Sequence, residues 1–150
     1  MRVFVQNEAG SFLKHSHNEK TLEWKGATRV SRAYPWPYGF VLNTTADDGL
    51  NVDCFVLTKT PLRTGQVVEC APVGLMEQLE DGAEDHNVLA VIRGEKVRFD
   101  ETLRNVLSEF VSHVFDHVPG KTIQAGRFRS KETAIKYVSE HTDRRASGAA

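Results

Sequence analysis

Cysteine is scarce in this 150-residue chain: Cys54 and Cys70 are the only two, each inside an apolar, strand-like stretch. A pair so placed reads as buried free thiols, which excludes a disulfide-stapled secreted scaffold and points to a reducing, cytoplasmic compartment. Neither has an activating neighbour in sequence, so a Cys-His nucleophile is excluded as well. No apolar run approaches the length of a membrane span, and the opening MRVFVQNEAG is too short and polar for a secretory h-region. Net charge is nearly absent: 19 Lys and Arg against 20 Asp and Glu leave −1 at pH 7. The general basic footprint of a nucleic-acid binder is therefore missing, and RFRSK near the C-terminus is too short to replace it. Gly-rich phosphate loops, HExxH, repeats and linkers are absent too.

What is present is a change of period. RVFVQ, FLKHS, TLEWK, YGFVL, VDCFVL, GQVVECAPVGLM and NVLAVIRG are short, rich in β-branched or aromatic residues, and separated by Gly, Asn, Asp and Pro turns. They predict a sandwich or small barrel. After Asp100, read as an N-cap, Leu103, Val106, Leu107, Phe110, Val111, Val114, Phe115 and Val118 fall on one helical stripe, stopped by Pro119-Gly120. A strand over KTIQAG follows. Ser130 then caps a second helix with Ala134, Ile135 and Val138 facing inward. The expectation is one α+β domain over 1–140, a β-barrel with two C-terminal helices, and a disordered tail over 141–150.

Two turns, DDGLNVDCFVL from Asp47 and EDGAEDHNVLAVI from Glu80, share a pattern: acids around a glycine, then an apolar strand. Asp-Gly pairs make hairpin turns decorated with solvated acids, and that reading stands beside a second one. If the turns meet at one end of the barrel, Asp48, Asp53, Glu80 and Asp85 offer oxygen ligands suited to Mg²⁺ or Mn²⁺. Asp53 favours the second, because a carboxylate at the edge of an apolar strand is costly to bury unpaired.

From Tyr34 to Ile92 the chain resembles the soluble, Mg²⁺-dependent inorganic pyrophosphatases of family I. YPWPYGFV is similar to that family's Tyr-Pro-x-Asn-Tyr-Gly-Tyr segment, and DDGLNVD to its Asp-Gly-Asp-Pro-x-Asp signature. EDGAEDHN is similar to its Asp-x-x-Gly-x-Asp-x-Lys segment. The resemblance implies a five-stranded, OB-like barrel with two main helices, and hydrolysis of diphosphate by a metal-activated water. It implies Mg²⁺ at Asp48, Asp53 and Asp85, with Glu80 at an additional metal position. It assigns phosphate contacts to Lys14, Arg29 and Tyr38, and catalytic roles to Asp53 and Tyr38. A homo-oligomer, hexameric in bacterial members, a small phosphate substrate, and neither nucleic-acid nor membrane partners are also implied.

Several positions depart from the family pattern. Leu50 stands in place of the general-base aspartate, and Gln6 and Ser16 in place of metal-binding glutamates. Asn87 replaces a lysine, and Val114-Phe115 a phosphate-gripping Tyr-Lys pair. The expected activity is therefore weakened, the alternative being an inactive protein that binds a metal-phosphate ligand or a protein partner. His15 and His17, on one face of a strand beside Ser16, are candidate replacement ligands. His113 and His117, spaced i, i+4, are expected on one side of the long helix.

Overall fold

The apolar runs of the first two-thirds become strands, and the computed structural model describes residues 1–144. In chain order these are β1 (Arg2–Asn7), β2 (Leu13–His17), β3 (Trp24–Arg29), β4 (Tyr38–Val41), β5 (Asp53–Val56), β6 (Val67–Glu80), β7 (Ala83–Glu84), β8 (Asn87–Ile92) and β9 (Ile123–Arg129). Helix α1 (Glu101–His113) precedes β9, and α2 (Lys131–His141) follows it.

Five strands pair in a closed circuit. β1 pairs with β4, β4 with β5 and β8 with β6, all antiparallel; β5 and β8 are parallel; and β6 returns to β1 through Val3↔Val68. This circuit is the OB-like barrel expected above, and closure leaves its strands few free edges. The 14-residue β6 also carries β7 and β9, while β2 and β3 form a separate hairpin. β5 and β8 are apolar almost throughout because both faces are covered. Cys54, Val88 and Ala90 enter a core layer that includes Ala134 of α2; Phe55 and Leu89 enter the layer packed by Leu107 and Phe110 of α1.

Gly39 is required where β4 meets β1: a Cβ there would lie 1.8 Å from the Phe4 carbonyl oxygen. Both expected caps are present. Asp100 Oδ1 accepts from the Leu103 N–H at 3.0 Å, and Ser130 Oγ from Thr133 at 3.2 Å.

Four expectations need correction. α1 ends at His113 rather than near Val118, because the Ser31 N–H takes the Val114 carbonyl and a turn closed by Val118 N–H to Phe115 O follows. His117 therefore lies off the helix, its Nδ1 2.6 Å from Ser31 Oγ. The third strand starts at Trp24, since the Asn18 carboxamide accepts from Lys20 and Thr21 and holds that segment as a turn. Ile135 is exposed, because α2 buries Ala134 and rests Tyr137 and Val138 on the barrel.

Of the tail expected over 141–150, residues 141–143 bind the first acidic segment: Thr45 N–H donates to the His141 carbonyl, Asp143 N–H to Asn43, and Thr45 Oγ1 to Asp143 Oδ1 at 2.7 Å. Residues 145–150 lie outside the described residues.

Candidate active site

The two acidic turns meet. Asp81 and Gly82, with φ of 51° and 85°, close the β6–β7 hairpin, so the second turn is an Asp-Gly hairpin as well as a source of ligands. Asp85 follows it and reaches Asp53 at the start of β5. The first turn is fixed locally: Leu50 N–H donates to Asp48 Oδ1 at 2.9 Å and Ala46 N–H to the Leu50 carbonyl. Lys20 ties its base to the barrel, donating to the Thr44 carbonyl, Thr45 Oγ1 and Asn51 Oδ1.

Between the turns, the β2 strand and the end of α1 lies a pocket of about 210 Å³. Lys14, Tyr38, Asp48, Asp53, Glu80 and Asp85 all line it. Arg29 does not: it is exposed on β3, its guanidinium 5.4 Å from the Phe12 ring centroid. Gln6, Ser16, Leu50, Asn87, Val114 and Phe115, which depart from the family pattern, also line the pocket, whereas Pro37, in place of the asparagine of the Tyr-Pro motif, does not.

Electrostatics centre on Asp53. Its carboxyl lies in the same pocket as that of Asp85, close enough for each to shift the other's ionisation. Burial first, and then the Asp85 charge, push the Asp53 carboxyl well above the usual carboxylate range. Asp85 is raised too, chiefly by burial, with Glu80 and Asp48 adding repulsion. The Tyr38 phenol is pushed well above 10 by burial and by Asp53 and Asp85, so it stays protonated and can donate a hydrogen bond.

Oxygen donors and a repelling buried pair suit a hard divalent cation, which would offset both burial and repulsion. As the side chains stand, no three His, Cys, Asp or Glu among the described residues form a group that could hold a metal ion. The site thus presents a carboxyl pair with further acids at its edge rather than a finished cage.

His15 and His17 line the pocket, and His15 is committed elsewhere. The Trp24 indole N–H donates to His15 Nδ1 at 3.0 Å, which leaves Nε2 carrying the proton and unsuited to a metal. Burial, then His15, lower the His17 pKa. His113 bonds Asp116 and lies near Glu109.

Three polar residues are not marked by the sequence, Gln78 of β6 being one. Glu19 lines the pocket, its Oε1 accepting from the Asn51 N–H at 2.8 Å while burial raises its pKa. Lys121 pairs with Glu80 at 2.8 Å and lies 4.4 Å from the Phe115 ring centroid, which the Lys14 ammonium approaches to 4.8 Å. Nothing in the turn around Glu19, or in the strand expected to open with Lys121, marks them as functional.

The sequence pattern described as inorganic pyrophosphatase matches residues 8–146. The chain belongs to the inorganic pyrophosphatase family. It is 28% identical to the inorganic pyrophosphatase of Aquifex pyrophilus, over 92% of this chain and 85% of that one. With the enzyme of Agrobacterium fabrum the identity is 32% over 74% of this chain and 68% of the other. The structure of an inorganic pyrophosphatase from Coxiella burnetii superposes with a TM-score of 0.85 at 26% identity, covering 94% of this chain and 92% of that one. The fold positions the acidic turns of this family member at one end of its barrel.

Proposed function

We propose that this pyrophosphatase-family chain hydrolyses diphosphate to two phosphates with Mg²⁺, at a rate reduced by the changes in its pocket. The observation that carries the reading is the contact of Asp53 with Asp85 inside a pocket that also holds Lys14 and Tyr38. Asp48, Asp53 and Asp85 would hold the cation, with Glu80 at a further position; Mn²⁺ is the alternative ion. When bound, a divalent cation acidifies water and neutralises charge on the phosphates. Lys14 brings a positive charge to the rim, and the protonated Tyr38 phenol donates to a phosphate oxygen from the pocket wall. Arg29, over Phe12, has no part in this reading.

Leu50 accounts for the reduced rate. Its side chain is 52% exposed at the pocket mouth, where the family has a carboxylate to take the proton of water. General-base catalysis contributes roughly 10²–10⁴-fold, so its loss slows the reaction without abolishing every other contribution. Steady phosphate release with Mg²⁺, eliminated in Asp53→Ala, is the expected result. Release no greater than a heat-killed control under Mg²⁺, Mn²⁺ and Co²⁺ would end the proposal.

Apolar Leu50 and Phe115 at the mouth favour one second reading, a pocket that binds a metal-phosphate ligand without cleaving it. Calorimetry showing diphosphate bound and recovered intact would decide for it. The first reading includes a cytoplasmic homo-oligomer, hexameric by family resemblance, and the exposed Ile135 on α2 is apolar surface that a subunit contact would cover. Sedimentation measures that directly. No helix among the described residues is long and apolar enough to cross a membrane.

A further inference from the structure

Sheet register sets a row of oxygen-bearing side chains on one face of β5, β8 and β6. Asp53 is the parallel partner of Asn87, and Asn87 is the antiparallel partner of Met76. Side chains two apart on a strand share a face, which adds Gln78 beyond Met76 on β6, and Asp85 stands just before β8. The Asp85 N–H donates to the Gln78 carbonyl at 3.1 Å, so those two residues are held side by side.

Both amides are closed off from solvent, Gln78 at 7% and Asn87 at 1% exposure. Gln78 Oε1 and Asn87 Oδ1 have no hydrogen-bond partner, although both residues line the pocket with Asp53 and Asp85. The Gln78 amide nitrogen is used, donating to Asp85 Oδ2 at 3.4 Å. A buried carbonyl oxygen without a donor destabilises the fold unless something positive meets it. Two of them beside a repelling carboxyl pair share the same unmet need.

We propose that Asn87 Oδ1 and Gln78 Oε1 are cation ligands, so that this chain's site holds its divalent ion through two carboxylates and two neutral amides. The inference rests on the reading of Asp53 and Asp85 as the cation site and adds donors that the family resemblance does not supply. At 87 the family has a lysine, so this chain puts a ligand for positive charge where its relatives put a positive charge. Mg²⁺ keeps several waters and takes one or two carboxylates, whereas larger hard ions accept more protein oxygens, amide carbonyls included. The amides therefore shift the preference from Mg²⁺ toward Mn²⁺.

The test is a calorimetric titration of the metal-free full chain with Mn²⁺ and with Mg²⁺, alongside melting curves with and without each ion. Asn87→Leu and Gln78→Met keep the volume and delete the oxygen; Asn87→Asp keeps the oxygen. The expected result is Mn²⁺ binding weakened about tenfold or more in either deletion variant and retained in Asn87→Asp, the scale set by the losses usual when groups around a metal are removed. Asn87→Leu should also melt higher than the parent without metal and gain less from Mn²⁺, a pair of opposite changes that simple misfolding cannot produce. Should Asn87→Leu fail to fold, Gln78→Met decides by itself. Deletion variants that bind Mn²⁺ as tightly as a binding-competent parent overturn the amide ligands and leave the carboxylate reading intact. A parent that binds neither ion overturns both.

Discussion

The Lys121 ammonium lies 2.8 Å from Glu80 Oε1, so the second acidic turn is tied across the pocket rim to the segment that follows α1. The same nitrogen lies over Phe115. A cation thus occupies the neighbourhood in which the family resemblance expects a lysine at 115, supplied from six residues further along the chain.

Replacing this lysine by Lys121→Met should raise KM for diphosphate severalfold and change kcat less, the signature of a lost phosphate contact. The pair is 27% and 30% exposed, and exposed pairs contribute only about 0–1 kcal/mol, so melting should shift little. Initial-rate kinetics with a thermal melt as control separates the two effects. An unchanged KM removes Lys121 from the substrate site.

The Asp53 and Asp85 carboxyls are both raised, chiefly by burial. An acid with a raised pKa keeps its proton in the folded chain at a pH where the unfolded chain has released it. The stability this confers is complete below the unfolded value near 3.8 and is lost as pH rises toward the raised folded values. Metal-free melting curves should therefore fall across that window. Asp53→Asn, which cannot ionise, should flatten the fall and melt above the parent at neutral pH while losing activity. A parent whose melting temperature climbs through the same window contradicts the pairing.

Leu50 is mostly exposed and its backbone is already fixed by Asp48, so Leu50→Asp adds a carboxylate at little packing cost. Phosphate release should rise by on the order of 10²–10⁴-fold if the missing base limits the rate. Adding Phe115→Lys should lower KM on top of that. A gain below about tenfold in the single variant would mean that some other group limits turnover.

Gly39→Ala tests the barrel rather than the site. Its Cβ would collide with the Phe4 carbonyl, a backbone atom that cannot turn aside. Overpacking costs about 1–3 kcal/mol, and at the upper end melting should fall by roughly 6–12 °C for a chain of this size. Wild-type melting would show that β1 and β4 separate more easily than their register suggests.

Much of this was legible from local pattern. CFVL and NVLAVI announced strands buried on both faces, and Asp100 and Ser130 marked the starts of both helices. The end of α1 was not legible: Val114, Phe115 and Val118 continue the apolar stripe, and what stops the helix is Ser31, more than eighty residues earlier, taking its carbonyl. In the same way, Asp53 is conspicuous as an acid in an apolar strand, whereas Glu19 and Gln78 look like ordinary polar residues until the Asn51 N–H holds the one and the place of β6 in the sheet sets the other beside the pocket. Arg29 shows the converse. The family resemblance gives it a phosphate position outside the matching motifs, and it lies exposed beside Phe12, outside the pocket lining.

Gln6 and the 141–143 segment bear on the pocket from opposite ends of the sequence, the latter by grasping the backbone at 43–45. Lys20 grips the same backbone, so the base of the first acidic turn is held from two sides. Trimming back to residue 140 should loosen the carboxylates without touching any of them.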